Sequence, residues 1–340
     1  MFSTSAFSRL LAQARRVVSR PAALGATRVL LLALAAAAAM PATAQTKVKI
    51  GLIGTNESQL PIVVAIDQGL FKAENIDVET VNFRGGGVAV QALVGGSVDL
   101  AAFATDHVLR LSNRGVQARY LVGIDRYITH ILVVPSNKDY KSLADLRGGK
   151  IVVSAPGSYS DNVLRWTIKE LGLDPDKDFT IIGTGGGAAG RAGLDSGQVD
   201  AIMSTTPDFI NDELESPGKY RILYDWRKIP HSGQAVVAKK DWIDDHPEAA
   251  RGIARAVLKA EQIIQTDPAA VQRGVRTLFP ERSDAFVKQF AAVVPGILSP
   301  DGRISEPGFL KMVEILRSVE PDLEPIDQAD VDLTNTLLER

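Results

Sequence analysis

The loop between residues 154 and 160 carries the side chains best suited to chemistry. It follows the apolar run Ile151–Val153, leads directly into a helical pattern, and is rich in hydroxyl groups. Its candidate ligand-binding residues are Ser154, Gly157, Ser158, Tyr159 and Ser160. A helix start offers free N–H groups and a partial positive charge, so this loop could hold a carboxylate, a sulfonate or a phosphate-like group.

A second polar loop, Asn56–Gln59 (NESQ), follows the apolar run Val48–Ile53 in the same way. Its side chains could meet a ligand, cap the next helix, or divide the two tasks. Capping alone is the plainer interpretation, because Asn and Ser are ordinary cap residues.

Catalytic and metal-binding motifs are absent from the sequence. There is no H-E-x-x-H, no G-x-S-x-G and no cysteine, and His107, His130, His231 and His246 lack metal-ligand spacing. The glycines after residue 184 satisfy G-x-G-x-x-G, but in the second strand-to-helix turn of their unit, with Thr205-Thr206 where an acidic ribose partner is needed. We therefore predict no enzyme activity, no metal and no cofactor.

Two copies of one unit position these loops, related by a constant offset of 101 residues. QALVGGSVDLAAFATD (91–106) is repeated in AGLDSGQVDAIMSTTPD (192–208), so that Gly96 corresponds to Gly197 and Asp99 to Asp200. The period is too long for a solenoid and indicates two similar domains. We interpret Asp99 and Asp200 as turn residues.

Each copy reads as strands alternating with helical patterns, which predicts parallel βαβ units. Open α/β sheets bind ligands at the carboxyl ends of their strands. The loops after the predicted strands are therefore the candidate site.

Residues 1–44 are typical of an export signal. They contain five arginines and no acidic residue, then the apolar run Val29–Met40, then Ala42-Thr43-Ala44. The apolar run is too short to span a bilayer, which disfavours the alternative of a membrane anchor. We expect cleavage after Ala44 and a periplasmic mature protein; Arg15-Arg16 raises the twin-arginine route, with Sec as the default.

Composition excludes several partners. Without the signal, 33 basic residues stand against 40 acidic ones, which argues against nucleic acid. The absence of cysteine removes disulfides and thiolate chemistry.

The chain is expected to cross between the two domains twice. The apolar strands around residues 127–137 and 232–240 would carry it out and back, so one domain is inserted into the other. We predict lobe 1 at 45–130 and 235–340, including C-terminal helices, and lobe 2 at 131–234.

Three motifs carry a family resemblance: Q-A-L-x-x-G-x-V-D-L, S-L-A-D-L-R-G-x-K-I and G-x-V-D-A followed by a proline. From Lys47 to about Ala260 the chain resembles the solute-binding proteins of ABC importers, within the nitrate/sulfonate/taurine and thiamine-precursor group. The resemblance implies an α/β, two-lobed periplasmic binding protein fold (type II) with a two-strand hinge. It also implies a monomer that closes over a small molecule and delivers it to an inner-membrane permease.

By position, the resemblance assigns the ligand loops and cleft wall to particular residues of this chain. They are Asn56, Glu57, Ser58, Gln59, Gly86, Thr105, Asp106, Tyr127, Ser154, Gly157, Ser158, Tyr159, Ser160, Gly185, Gly186, Thr205, Thr206, Pro207 and His231.

The ligand class stays open between a zwitterion, a sulfonate and an N-heterocycle. Glu57 and Asp106 suit an amine or an N-heterocycle, whereas the helix start after Ser158 favours an anionic group. Tyr127 and Tyr159 could stack on a ring.

Two other functions remain as alternatives. The fold resembles thiamine-pyrimidine synthases, but the resemblance implies a cysteine-rich motif with iron, and this chain has no cysteine. A ligand-sensing subunit without transport is the second alternative.

Overall fold

The computed structural model describes residues 45–185 and 187–338. The predicted signal peptide lies outside them. The strands in this part are β1 (Thr46–Ile53), β2 (Ile76–Phe83), β3 (Leu100–Ala104), β4 (Ala118–Gly123), β5 (His130–Pro135), β6 (Lys150–Val153), β7 (Thr180–Gly183), β8 (Ala201–Thr205), β9 (Tyr220–Asp225) and β10 (Gln234–Lys239).

Helices connect and flank these strands. They are α1 (Leu60–Asp67), α2 (Leu70–Ala73), α3 (Gly86–Val94), α4 (Asp106–Asn113), α5 (Tyr159–Glu170), α6 (Gly187–Asp195), α7 (Thr206–Glu215), α8 (Lys240–Asp245), α9 (Pro247–Thr266), α10 (Pro268–Leu278), α11 (Asp284–Val293), α12 (Glu306–Val319), α13 (Gln328–Val331) and α14 (Thr334–Leu338). Short 3₁₀ helices cover Glu57–Gln59, Leu143–Leu146 and Val294–Gly296.

Two five-stranded sheets share one topology. The first has the order β2-β1-β3-β10-β4 and the second β7-β6-β8-β5-β9. In each, three parallel strands come from one copy of the repeat, and the fourth position is an antiparallel strand that enters from the other sheet. The sheets therefore exchange strands, as the predicted insertion of one domain into the other requires.

The repeat is also visible in one hydrogen bond. Asp99 Oδ2 accepts from the Lys49 amide at 2.7 Å, and Asp200 Oδ2 accepts from the Lys150 amide at 2.9 Å. Each aspartate lies in the bend before a strand, as expected of a turn residue. Its carboxylate in addition anchors the neighbouring strand, within β1 at Lys49 and at the first residue of β6, Lys150.

Apolar side chains cover both faces of each sheet. In the first lobe, Phe286 and Phe290 of α11 pack with α9 and α10 on one face, and Phe309 and Met312 of α12 pack on the other. The C-terminal helices therefore supply much of the apolar cover of the first sheet.

The sequence predicts the C-terminal helices in lobe 1, but helix α12 also serves the second lobe. Its Ile315 belongs to the second lobe's core, and its Glu314 accepts from the indole N–H of Trp166 at 3.1 Å. Helix α12 therefore bridges both lobes along one side.

Two backbone crossings connect the sheets: the first crossing (residues 124–129) between β4 and β5, and the second crossing (residues 226–233) between β9 and β10. They run side by side, with Ile128 N–H donating to Ile229 O at 3.0 Å and His231 N–H to Arg126 O at 3.2 Å. This pairing forms the predicted two-strand hinge.

None of the helices in the described part of the chain is long and apolar enough to cross a membrane.

Replacing Asp200 with alanine should lower the free energy of unfolding by about 1–3 kcal/mol, because the Lys150 amide and the Tyr140 hydroxyl both lose their acceptor. Urea unfolding at neutral pH measures this. Asp99→Ala is the matched control: it removes only the bond from the Lys49 amide, so its effect should be smaller. Equal losses in the two variants would contradict this account.

Candidate functional site

The candidate site lies where the carboxyl ends of β1 and β3 face those of β6 and β8. Contacts across the lobes establish this arrangement. The Asn162 side chain of α5 donates to Asp106 Oδ2 at 2.9 Å, and the Tyr159 hydroxyl lies 3.1 Å from His231 Nδ1. The predicted strand-end loops therefore meet between the sheets.

Asn56 and Ser58 maintain the shape of the first loop. Asn56 Oδ1 accepts from the Ser58 amide at 3.0 Å, and its Nδ2 donates to Ile53 O at 2.9 Å. The Ser58 hydroxyl donates to both carboxylate oxygens of Asp125 at 2.9 Å. Asn56 therefore acts as a helix cap, and the side chains of Asn56 and Ser58 are both hydrogen-bonded within the chain.

Glu57 and Gln59 are the side chains of this loop without partners. Each is 1% exposed, and the carboxylate oxygens of Glu57 and the amide atoms of Gln59 have no hydrogen-bond partner among the described residues. Burial, together with the charges of Asp125 and Asp208, raises the pKa of Glu57 to about 8, although its own backbone amide and the charge of Arg227 lower it. Charged groups of the first crossing and of the second lobe are therefore both within electrostatic reach of the Glu57 carboxyl.

Thr105 and Asp106 at the end of β3 are both buried. The Thr105 hydroxyl lies 2.6 Å from that of Ser232, so it is engaged with the hinge. Asp106 Oδ2 accepts from Arg110 and Asn162, but Oδ1 has no partner among the described residues.

The serine cluster of the second lobe (Ser154, Ser158 and Ser160) is bonded to itself. The three Oγ atoms lie 2.9–3.1 Å apart, and Asp161 occupies the first turn of α5, where its Oδ2 accepts from the Gly157 amide at 2.7 Å. The Asp161 carboxylate, which also pairs with Arg165 at 2.9 Å, therefore lies beside this helix start. Its negative charge makes the helix start less favourable for an anionic ligand than the sequence suggests.

A small cavity of about 90 Å³ opens beside these serines. Its polar lining residues are His130, Ser154, Ser160, Ser204, Thr205 and Asp208, and Val152, Ile202 and Met203 contribute apolar surface. Ser204 Oγ has no partner within the described chain. Desolvation raises the pKa of Asp208. Ser204 and Asp208 were not among the residues predicted for the site, although they directly precede and follow the predicted loop Thr205–Pro207.

The remaining predicted residues have structural neighbours. Thr206 and Pro207 begin α7 and are buried, and Thr206 Oγ1 accepts from Arg227 at 3.3 Å. Gly86 is required by close packing, because a Cβ there would lie 2.3 Å from His107 Nε2. Gly185 is exposed and has a positive φ of 80°, and Gly186 lies outside the described residues.

Tyr159 forms an aromatic cluster with His231 of the second crossing and His130, the first residue of β5. Its ring stacks on His231 at 4.8 Å and meets His130 edge-on at 4.9 Å. Burial lowers the pKa of His231 to about 3 and that of His130 to about 4, so both are neutral. Because His231 covers one face of the Tyr159 ring, a ligand ring could stack only on the other face. Tyr127 is half-buried at the hinge, with the Arg126 guanidinium 5.1 Å from its ring.

Comparison with known proteins decides the family. The sequence model described as the NMT1-like family matches residues 41–278, well over half of the chain. The chain belongs to the NMT1-like family. This confirms the resemblance found in the sequence.

Relatives and solved structures extend this finding. A Haemophilus influenzae protein with a thiamine biosynthesis name is 23% identical over 82% of this chain and 88% of its own length. A Bordetella bronchiseptica structure is 29% identical with a TM-score of 0.72, covering 86% of this chain and 97% of that one. The periplasmic aliphatic sulphonate binding protein SsuA of Escherichia coli matches at 18% identity and a TM-score of 0.70, over 86% and 99%.

These structural matches confirm the predicted two-lobed periplasmic binding protein fold of type II. The informative relatives of this NMT1-like chain are sulfonate-binding and nitrate-binding proteins. Within residues 45–185 and 187–338, no group of three or more acidic or histidine side chains could hold a metal ion.

Replacing Glu57 with glutamine should stabilise the protein at pH 8 and have little effect at pH 5. The folded pKa of Glu57 is raised from 4.5 to about 8, so between these values the folded state binds more protons than the unfolded state. Stability then falls by roughly 1.4 kcal/mol per pH unit through this group. The variant should therefore gain on the order of 2–4 kcal/mol at pH 8.

Urea unfolding at the two pH values measures this gain. Glu79→Gln, at an exposed carboxyl paired with Lys49 at 3.8 Å, is the control and should show no such difference. A gain for Glu57→Gln that is the same at both pH values would rule out a buried, raised-pKa carboxyl.

Proposed function

We propose that the protein is the periplasmic solute-binding component of an ABC importer. It captures a small polar organic molecule between its lobes by hinge closure and delivers it, as a monomer, to an inner-membrane permease. The observation that carries this proposal is Glu57, a fully buried carboxyl whose two oxygens have no hydrogen-bond partner among the described residues. A buried carboxyl without a hydrogen-bond partner is costly to the chain alone, and a ligand that bonds to it would account for its place in the cleft.

Paired arginines support a nitrogenous ligand. The arginines within electrostatic reach of the cleft carboxyls each have a carboxylate partner: Arg110 with Asp106, Arg191 with Asp212, Arg227 with Asp225 and Arg282 with Glu215. The cleft therefore has a surplus of acceptors and acidic groups. A ligand that donates N–H groups, such as an amine, an N-heterocycle or the ammonium end of a zwitterion, satisfies Glu57.

A sulfonate or nitrate suits this cleft poorly. When Glu57 is ionised, neither anion can donate a hydrogen to it, so neither would satisfy its buried oxygens. The ligands named for the relatives are therefore not carried over to this chain.

Contacts between the lobes support closure over the ligand. Ile210 and Leu214 of α7 pack against the first lobe's core, and the Lys169 ammonium of α5 donates to Ser318 O at 2.5 Å in α12. We place the lobe boundaries at 45–130 with 235–340 and at 131–234. A ligand that touches both lobes favours the closed state, because only differential affinity shifts such an equilibrium.

A thermal-shift screen of residues 45–340 should find its hits among polyamines and aminopyrimidines. Ligands that bind only the native state raise the melting temperature by mass action. We expect no shift with nitrate, taurine or alkanesulfonates at the same concentration. A clear shift with a bare anion would contradict the ligand class while leaving the binding role intact.

Calorimetry with the strongest hit should show that Glu57→Gln weakens its affinity about ten-fold or more, because a charge-assisted hydrogen bond is lost. Glu79→Gln is the control and should bind like the wild type.

Affinity for a cationic hit should increase as the pH rises through about 8, where Glu57 ionises in the empty cleft. Turnover of any hit by the purified protein would overturn the binding role and favour the enzyme alternative.

A further inference from the structure

Residues 231–234, which lead the second crossing into β10, contact the cleft loops of both lobes. The loop Asn56–Gln59 reaches them through Asp125 and through a longer direct bond from Gln234 Nε2 to Asn56 Oδ1 at 3.5 Å, and Thr105 reaches them directly. Tyr159 reaches them from the second lobe. One short segment of the hinge is therefore bonded to each wall of the candidate site.

Asp125 accepts hydrogen bonds from both the loop and residue 234. It belongs to the first crossing, its two carboxylate oxygens accept from the Ser58 hydroxyl at 2.9 Å, and Oδ2 also accepts from the Gln234 amide at 2.9 Å. One buried carboxylate thus holds the ligand loop and both crossings together. Asp125 is 1% exposed, so water does not replace these donors.

The backbone is shaped to fit this carboxylate. Gly233 has a φ of +50°, and a Cβ added there would lie 2.3 Å from Asp125 Cβ. Only glycine allows the second crossing to pass so close to Asp125. The close approach shows that the contact is built into the path of the chain.

The second lobe is connected to the same segment by a different arm. His231 Nδ1 accepts from the Gly233 amide at 2.8 Å and faces the Tyr159 hydroxyl at 3.1 Å. Because Nδ1 is already an acceptor, the Tyr159 hydroxyl donates to it. The first residue of α5 is therefore hydrogen-bonded to the second crossing.

We propose that Asp125 is a positioning residue, which couples the loop that carries Glu57 to the rotation of the lobes. The proposal rests on the proposed binding function. A ligand that bonds Glu57 fixes the loop, the adjacent Ser58 hydroxyl fixes the Asp125 carboxylate, and Asp125 fixes the amide that begins β10. Movement of the hinge therefore requires movement of the ligand loop, and occupancy of the cleft restricts the hinge.

Hydrogen–deuterium exchange on the ligand-free protein, resolved to residues 231–236, tests this coupling. Ser58→Ala removes the hydroxyl from the loop without contacting Gln234. We expect exchange at the Gln234 amide to become about five-fold faster, the factor for a hydrogen bond of ordinary net strength. Asp125→Asn should have at least the same effect, because an amide group retains only one acceptor atom.

Asp99→Asn is the control, since it alters a carboxylate that accepts from a strand amide in the same lobe and makes no contact with either crossing. It should leave exchange at 231–236 unchanged. Unchanged exchange at Gln234 in Ser58→Ala, together with faster exchange at 56–60, would overturn the proposal and leave Asp125 a purely local contact. Because no ligand is used, this outcome is independent of the ligand screen on which the proposed function depends.

Discussion

The antiparallel pairing of the two crossings is the constraint on which the rest of the structure depends. Because Ile128 bonds Ile229 and Arg126 bonds His231, each crossing delivers its strand into the middle of the opposite sheet. Strand β10, which follows the second copy of the repeat, is inserted between β3 and β4 of the first sheet. Strand β5, which follows the first copy, is inserted between β8 and β9 of the second sheet. Neither lobe can form its full sheet without the other, and the strand ends that line the cleft are held within a narrow range of orientations.

This constraint explains how the cleft tolerates its buried acidic groups. Asp125 is satisfied by Ser58 and Gln234, which a fixed hinge brings to the same point. Glu57, one residue from Ser58, has no such donor in the described chain, and burial raises its pKa to about 8. Of these two neighbouring residues, Ser58 is bonded within the architecture, and Glu57 is the one to which we assign ligand binding.

The repeat in the sequence predicted the architecture well, because the signals for it are local. Asp99 and Asp200 recur at one offset, and both bond the amide of a strand 50 residues before them. The site was less predictable. Thr105 and Ser58 resemble ligand groups in the sequence, but their partners Ser232 and Asp125 lie far away in the chain and meet them only through the hinge. No local pattern carries that information.

The proposed ligand class differs from the anions named for proteins of the same fold. The same type II framework occurs in sulphonate-binding proteins, so the sheets and hinge do not determine the charge of the ligand. Local side chains do. The helix start after Ser158 would favour an anion by its N–H groups, but Asp161 lies in its first turn, where it accepts from the Gly157 amide and pairs with Arg165 at 2.9 Å. The proposed preference for a ligand that supplies N–H groups therefore rests on Glu57, whose buried carboxylate oxygens have no hydrogen-bond partner among the described residues.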